Sequence, residues 1–360
     1  MATPPASRAA TNDHLDALVG RTWPGARVAD REPLAGDASA RRYVRLRLEG
    51  AGPSTTVAML LPPGEACASE ELTAGGADTA VLPFVDVGRF LASHGVPVPA
   101  IHADATGEGV LLLEDVGDLP LAEGLGSEPA PLREAVVVLA RISALGAEDA
   151  GACGALRARY DRELIGRELE VVHTHGFASL PDGPPRRPGS DPVLESALAR
   201  LGDDVAALPA VLMHRDYHAW NLHLAPDGRL VVIDFQDALL GPALYDLASL
   251  FTDRDSHRFV DPAIEADLVE FYAERLRSLG GPDLGTGAAL RHAYLTAVAY
   301  RTLRVVGRFG FLAIERGKPA YLRFLEPMAR QTRRALIGSG RVDLLELVAQ
   351  RQPAFAGGPT

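Results

Sequence analysis

Two short apolar runs, residues 210–213 and 230–235, bracket the polar octet HRDYHAWN and the turn APDGR, and this stretch restricts the fold most tightly. Asp216 lies just past the first run, Asp234 sits at the end of the second, and the amide of Asn221 falls between them. One isolated aspartate would read as a turn or cap residue. Three hard oxygen donors on loops between strands suit in-line phosphoryl transfer. One carboxylate orients the attacking hydroxyl and takes its proton, while an amide and a second carboxylate hold Mg2+ against nucleotide phosphates. On this reading Asp216 is the base, and Asn221 and Asp234 are the metal ligands. His214 is expected to brace the loop by a hydrogen bond, and His218 and Trp220 to be structural or to rim the substrate. Asp246 in GPALYDLASL is expected to cap or brace a helix start. For Asp237 a structural role and assistance to the metal both stand. His214, His218 and His223 do not read as a zinc site, because two histidines four residues apart need a helix and this segment is loop.

The rest of the chain changes character part way along. Residues 42–48 and 55–61 alternate as strands about a turn at 50–54, a hairpin pattern. Residues 84–94 put Phe84, Val87, Phe90 and Leu91 on one face of a helix stopped by Gly95, after which VPVPAIHA runs extended. Residues 109–116 read as a buried strand ending in acidic residues and Gly117. Beyond it, residues 132–145, 160–175 and 193–208 carry apolar side chains at helical spacing, with the Pro/Gly loop SLPDGPPRRPGSDP among them, and further helices follow the octet. The expectation is an α+β protein of two lobes. A small β-rich N-terminal lobe (1–116) joins a larger, mainly helical C-terminal lobe (117–360) through a hinge near 114–117, with the site in the cleft.

Composition narrows the function classes. A chain of 360 residues, 47% of them apolar, can bury a large core. A formal charge of -11 argues against nucleic acid as a partner, since phosphate binding calls for a basic face. Cys67 and Cys153 are too few and too far apart for a disulfide framework, which fits a reducing compartment. The N-terminus lacks the apolar core of a signal peptide, and the run AVVVLARI is interrupted by Arg141, so neither secretion nor a membrane span is expected. A monomeric cytoplasmic enzyme is the expectation.

HRDYHAWN followed by VVIDFQDALLGPALYDL resembles the catalytic loop and metal-binding segment of the aminoglycoside-phosphotransferase family, itself similar in fold to protein kinases. GDASARRYVRL at 36–46, FLASHGVPVPAI at 90–101, LLLEDVGD at 111–118 and RTLRVVGRFGFLAIERGKPAYL at 301–322 extend the likeness over most of the chain. They resemble the branch of anomeric kinases that phosphorylate N-acetylmuramate and N-acetylglucosamine in cell-wall recycling. The resemblance implies a two-lobed protein-kinase-like fold, ATP and Mg2+ as cofactors and a small-molecule sugar as acceptor. It implies Asp216 as catalytic base, with Asn221 and Asp234 on the metal. Gly36, Asp37, Ser39 and Arg41 would form a loop over the phosphates, and the backbone of Glu114, Asp115 and Val116 would meet adenine. Arg301 and Arg304 would lie near the acceptor site or be salt-bridged. The chain departs from the wider kinase pattern in TTVAMLLPP, where Met59 stands in place of a phosphate-binding lysine. The branch shares that absence, and Arg41 or Arg42 could replace the charge. An aminoglycoside or choline-type kinase is the alternative enzyme. A nucleotide-binding pseudokinase is suggested by the missing lysine and opposed by the intact trio.

Overall fold

The computed structural model describes residues 8–34, 41–62, 81–125, 130–146, 153–178 and 184–357. Helix α1 (Arg8–Thr22) precedes strands β1 (Arg27–Leu34), β2 (Arg42–Glu49) and β3 (Thr55–Leu60), helix α2 (Pro83–Ser93) and strands β4 (Ile101–Ala105) and β5 (Val110–Glu114). The strands form one antiparallel sheet in the order β1-β2-β3-β5-β4. Directly paired residues share a face of an antiparallel sheet. Tyr43 pairs with Met59 and Met59 with Leu111, while Val44 pairs with Ala58 and Ala58 with Leu112. The second set, with Leu46, Leu48 and Leu60, packs beneath Leu15, Leu18 and Val19 of α1. The first set looks the other way. Val57, Met59, Leu111 and Leu113 join the buried side chains of α2, including Phe84, Val87, Phe90 and Leu91.

The helix read from those four residues therefore lies where its apolar face requires. Gly95, at φ +70°, ends it, with the Val96 N–H returning to the Leu91 carbonyl at 3.0 Å. The β2–β3 hairpin also follows its pattern, because Gly50 and Gly52 at positive φ make the turn and a Cβ on Gly50 would fall 2.2 Å from the Gly25 carbonyl oxygen.

The C-terminal part contains α3 (Ala130–Ser143), α4 (Arg162–Val171), α5 (Pro192–Ala206), β6 (Ala210–Met213), β7 (Leu222–Leu224), β8 (Leu230–Val232), β9 (Leu239–Pro242), α6 (Tyr245–Thr252), α7 (Pro262–Ser278), α8 (Gly287–Ile314), α9 (Leu325–Gly338) and α10 (Val342–Arg351). Asp191 and Asp261 cap α5 and α7, each followed by proline, the preferred first helical residue. β6 pairs with β9 and β7 with β8, so the two apolar runs around the octet belong to different hairpins. The second run is shorter than its sequence suggests, because the backbone turns left-handed at Asp234, φ +64°, and leaves the ladder. One apolar cluster continues from the inner face of the sheet through α3–α5 and α8 to Phe355. Among the described residues, no helix is long and apolar enough to cross a membrane.

Candidate active site

Asp216 follows β6 in a loop held from below. Asp246, in the first turn of α6, accepts the backbone N–H groups of His214 (2.6 Å) and Arg215 (3.0 Å) on its two oxygens. The His214 imidazole reaches across by Nε2 to the Ile233 carbonyl at 2.9 Å, tying this loop to the segment that carries Asp234. Both residues thus brace the loop, as their positions suggested. Burial pushes the Asp246 carboxyl up to about 7, against the pull of those two N–H groups. Burial also keeps the His214 imidazole below its usual range.

The trio converges through one amide. Asn221 Nδ2 donates to the Asp216 carbonyl at 2.9 Å and lies 3.4 Å from Asp234 Oδ2. Gln236 donates to the other Asp234 oxygen at 2.8 Å, and the Asp234 side chain is exposed to solvent. Burial would raise the half-buried Asp216 carboxyl, but the Arg304 guanidinium, followed by His218 and Arg215, holds it below the usual carboxylate range. Among the described residues, no three His, Cys, Asp or Glu side chains gather to cage a metal. One exposed carboxylate beside an amide is instead the donor set that suits Mg2+, which keeps several waters and takes substrate phosphates as further ligands. His223 is turned elsewhere, its Nδ1 3.2 Å from the Gly117 carbonyl.

The β7–β8 hairpin carries Asn221 and Asp234 at its two ends and also meets the hinge. Val116 packs on Ala225, Val231 and Ile233, an apolar floor beside the hinge backbone. Glu114 is tied by Arg229 at 2.5 Å and by the Ala100 N–H at 3.0 Å. Asp115 receives Arg45 Nε at 2.7 Å and the Gly117 N–H at 3.1 Å, and Arg45 also forks onto Asp118 at 2.7 Å. The side chains of Glu114 and Asp115 are thus committed to protein partners, and the Glu114 N–H is itself bonded to the Ala100 carbonyl at 2.8 Å.

Gly36, Asp37 and Ser39 lie outside the described residues. Arg41 is half-buried just before β2, and Arg42 is exposed at its first position, opposite Leu60. Met59 is fully buried, with Tyr43 opposite it, so an apolar residue does occupy the strand position discussed above. Arg45 lies opposite Val57 and is consumed by the hinge carboxylates.

The sequence reading missed Glu168 of α4. One of its oxygens, Oε2, accepts the hydroxyls of Tyr160 and Tyr300 (the latter at 2.8 Å) and Arg304 Nε at 2.6 Å, while Oε1 lies 3.5 Å from Arg215. Arg304 also donates to the Tyr245 hydroxyl at 3.0 Å. This buried network joins α4, α6 and α8 to the residue preceding Asp216. Its signal in the sequence was a glutamate one helical turn after Leu164, on the apolar face of α4. Arg301 is salt-bridged and buried, held by the Thr252 carbonyl and Asp253.

A family model described as the phosphotransferase enzyme family matches residues 30–290. The N-acetylmuramate/N-acetylglucosamine kinase of Pseudomonas aeruginosa is 30% identical over 322 residues, covering 85% of this chain and 83% of that one. The protein of the same name from Pseudomonas putida is 29% identical over 312 residues, covering 85% and 84%. In fold, the chain is similar to the choline kinase from Cryptosporidium parvum, with a TM-score of 0.60, 10% identity and coverage of 93% and 99%.

Proposed function

The chain belongs to the phosphotransferase enzyme family, and from that premise we propose that it transfers the γ-phosphate of ATP to a sugar hydroxyl, the anomeric C1 hydroxyl of N-acetylmuramate or N-acetylglucosamine. The observation that carries the reading is the Asn221 amide, which bonds to the loop at Asp216 and approaches the carboxylate of Asp234. Asp216 orients the acceptor hydroxyl and takes its proton as the phosphoryl group moves. Its depressed basicity suits orientation and late proton capture better than early abstraction. Asn221 and Asp234 would hold Mg2+, which when bound offsets the negative charge of the phosphates. The Glu114–Val116 backbone and the Val231 and Ile233 floor receive adenine. Arg41 or Arg42 meets the phosphates in place of a lysine, with the loop containing Gly36, Asp37 and Ser39 above them. In this scheme residues 1–116 serve nucleotide binding and residues 117–360 serve catalysis and acceptor binding, in a cytoplasmic monomer.

The relatives' names support the amino-sugar acceptor. The test is a coupled ATP-consumption assay with Mg2+ across N-acetylmuramate, N-acetylglucosamine, glucosamine, kanamycin and choline, with phosphorus NMR of the product. An anomeric phosphate ester on an N-acetylated sugar is expected. Turnover of kanamycin or choline alone would refute the sugar, and nucleotide binding without any turnover would refute the kinase.

A further inference from the structure

Arg254 follows α6 and is clamped by aromatic rings. Its guanidinium carbon lies 5.3 Å from the centre of the Trp220 ring and 5.6 Å from that of Phe324. Trp220 sits between Asp216 and Asn221 in the catalytic loop, and its indole N–H donates to Asp255 at 3.2 Å. Arg254 Nε forms an ion pair at 3.6 Å with the same carboxylate oxygen, which draws that edge of the guanidinium toward Asp255. Asp253, the other adjacent acid, is engaged by Arg301 at 3.1 Å. Among the described residues, the two Nη groups of Arg254 have no hydrogen-bond acceptor, and the side chain keeps 33% of its exposure. A planar cation is therefore pinned against the loop that carries the base, with its fork free.

A guanidinium matches a carboxylate by two parallel N–H···O bonds, and stacking on aromatic faces holds the plane in advance, so little freedom is lost when the partner arrives. We infer that Arg254 is a specificity-determining residue whose fork binds a carboxylate on the acceptor, favouring an acidic amino sugar over its neutral counterpart. The inference rests on the sugar-kinase reading above, whose two acceptors differ in this respect, since N-acetylmuramate bears a lactyl carboxylate that N-acetylglucosamine lacks. The ring, common to both, meets the base; the carboxylate meets Arg254.

The test compares kcat/KM for the two sugars in the wild type, in Arg254→Gln and in Arg254→Lys. The quantity read is the ratio of N-acetylmuramate to N-acetylglucosamine within each preparation, so any loss of folded protein cancels. Removing a charge-assisted bidentate contact should lower that ratio by about tenfold or more in Arg254→Gln. Arg254→Lys, which keeps the charge without the fork, should fall between. A ratio within about twofold of wild type in both variants overturns the inference and leaves the sugar kinase standing. A wild type that phosphorylates neither sugar overturns the sugar reading and this inference together.

Discussion

At the scale of the residue, the site rests on two aspartates with opposite electrostatic histories. Asp216 is held ionised by arginines, whereas Asp246 is buried and drawn toward its protonated form. If Asp216 takes the proton, Asp216→Asn should lower kcat by about 10²–10⁴-fold while ATP still binds, measured by single-turnover transfer beside equilibrium nucleotide displacement. For Asp246 the expected effect is on stability. Its folded pKa of about 7 lies above the ordinary value of 3.8. Between those values the folded state holds the proton more tightly than the unfolded chain, so the contribution of this group is full at acid pH and is lost as the pH rises through 7. Asp246→Asn removes the titration. The variant should be less stable than wild type at pH 5, because an amide can accept only one of the two loop N–H groups on oxygen, and that gap should narrow by pH 8. Thermal unfolding of both proteins across this range is the check, and a gap that widens with pH would reverse the assignment.

At the scale of the element, the crossing of α8 over the helical turn Val172–Gly176 that follows α4 depends on missing side chains. A Cβ on Gly310 would stand 2.2 Å from the His175 carbonyl oxygen, and one on Gly307 would stand 2.8 Å from the Val172 Cα. Since both obstacles are backbone, neither can swing aside. Gly310→Ala should lower stability by roughly 1–3 kcal/mol, seen as a fall in Tm of several degrees. Activity should fall with it, because α4 and α8 carry Glu168 and Arg304. How far the elements were legible follows from how each is covered. The catalytic loop was readable because its chemistry needs particular residue types in sequence order. The β2–β3 hairpin and α2 were readable because each has one buried face. β1, RVADREPL, was not, since it lies at the sheet edge with no fully buried side chain to mark alternation. β4 is bulged between Ile101 and Ala103, which interrupts its period. The Glu168 network escaped because its members come from four separate segments, each ordinary in isolation.

At the scale of the whole molecule, the two lobes foreseen from the sequence share one apolar core. The cluster containing Val57 and Met59 of the sheet also contains Tyr245, Leu303 and Phe355. With no core break at the hinge, the lobes should unfold together. Calorimetry is expected to show one endotherm whose midpoint matches the losses of both near- and far-ultraviolet circular dichroism, while two separated transitions would show independent folding units. Arg229 and Glu114 add a polar tie across the same boundary.

The Glu168 network also limits how this chain can diverge. Its single carboxylate serves two guanidinium groups and two phenols. A lineage that lost Glu168 first would lose the carboxylate that Arg215 and Arg304 share, and one that lost Arg304 first would deprive Asp216 of the cation that does most to keep it ionised. A path to a different acceptor therefore runs through paired replacement at positions 168 and 304, and descendants of this enzyme should keep both residues or neither.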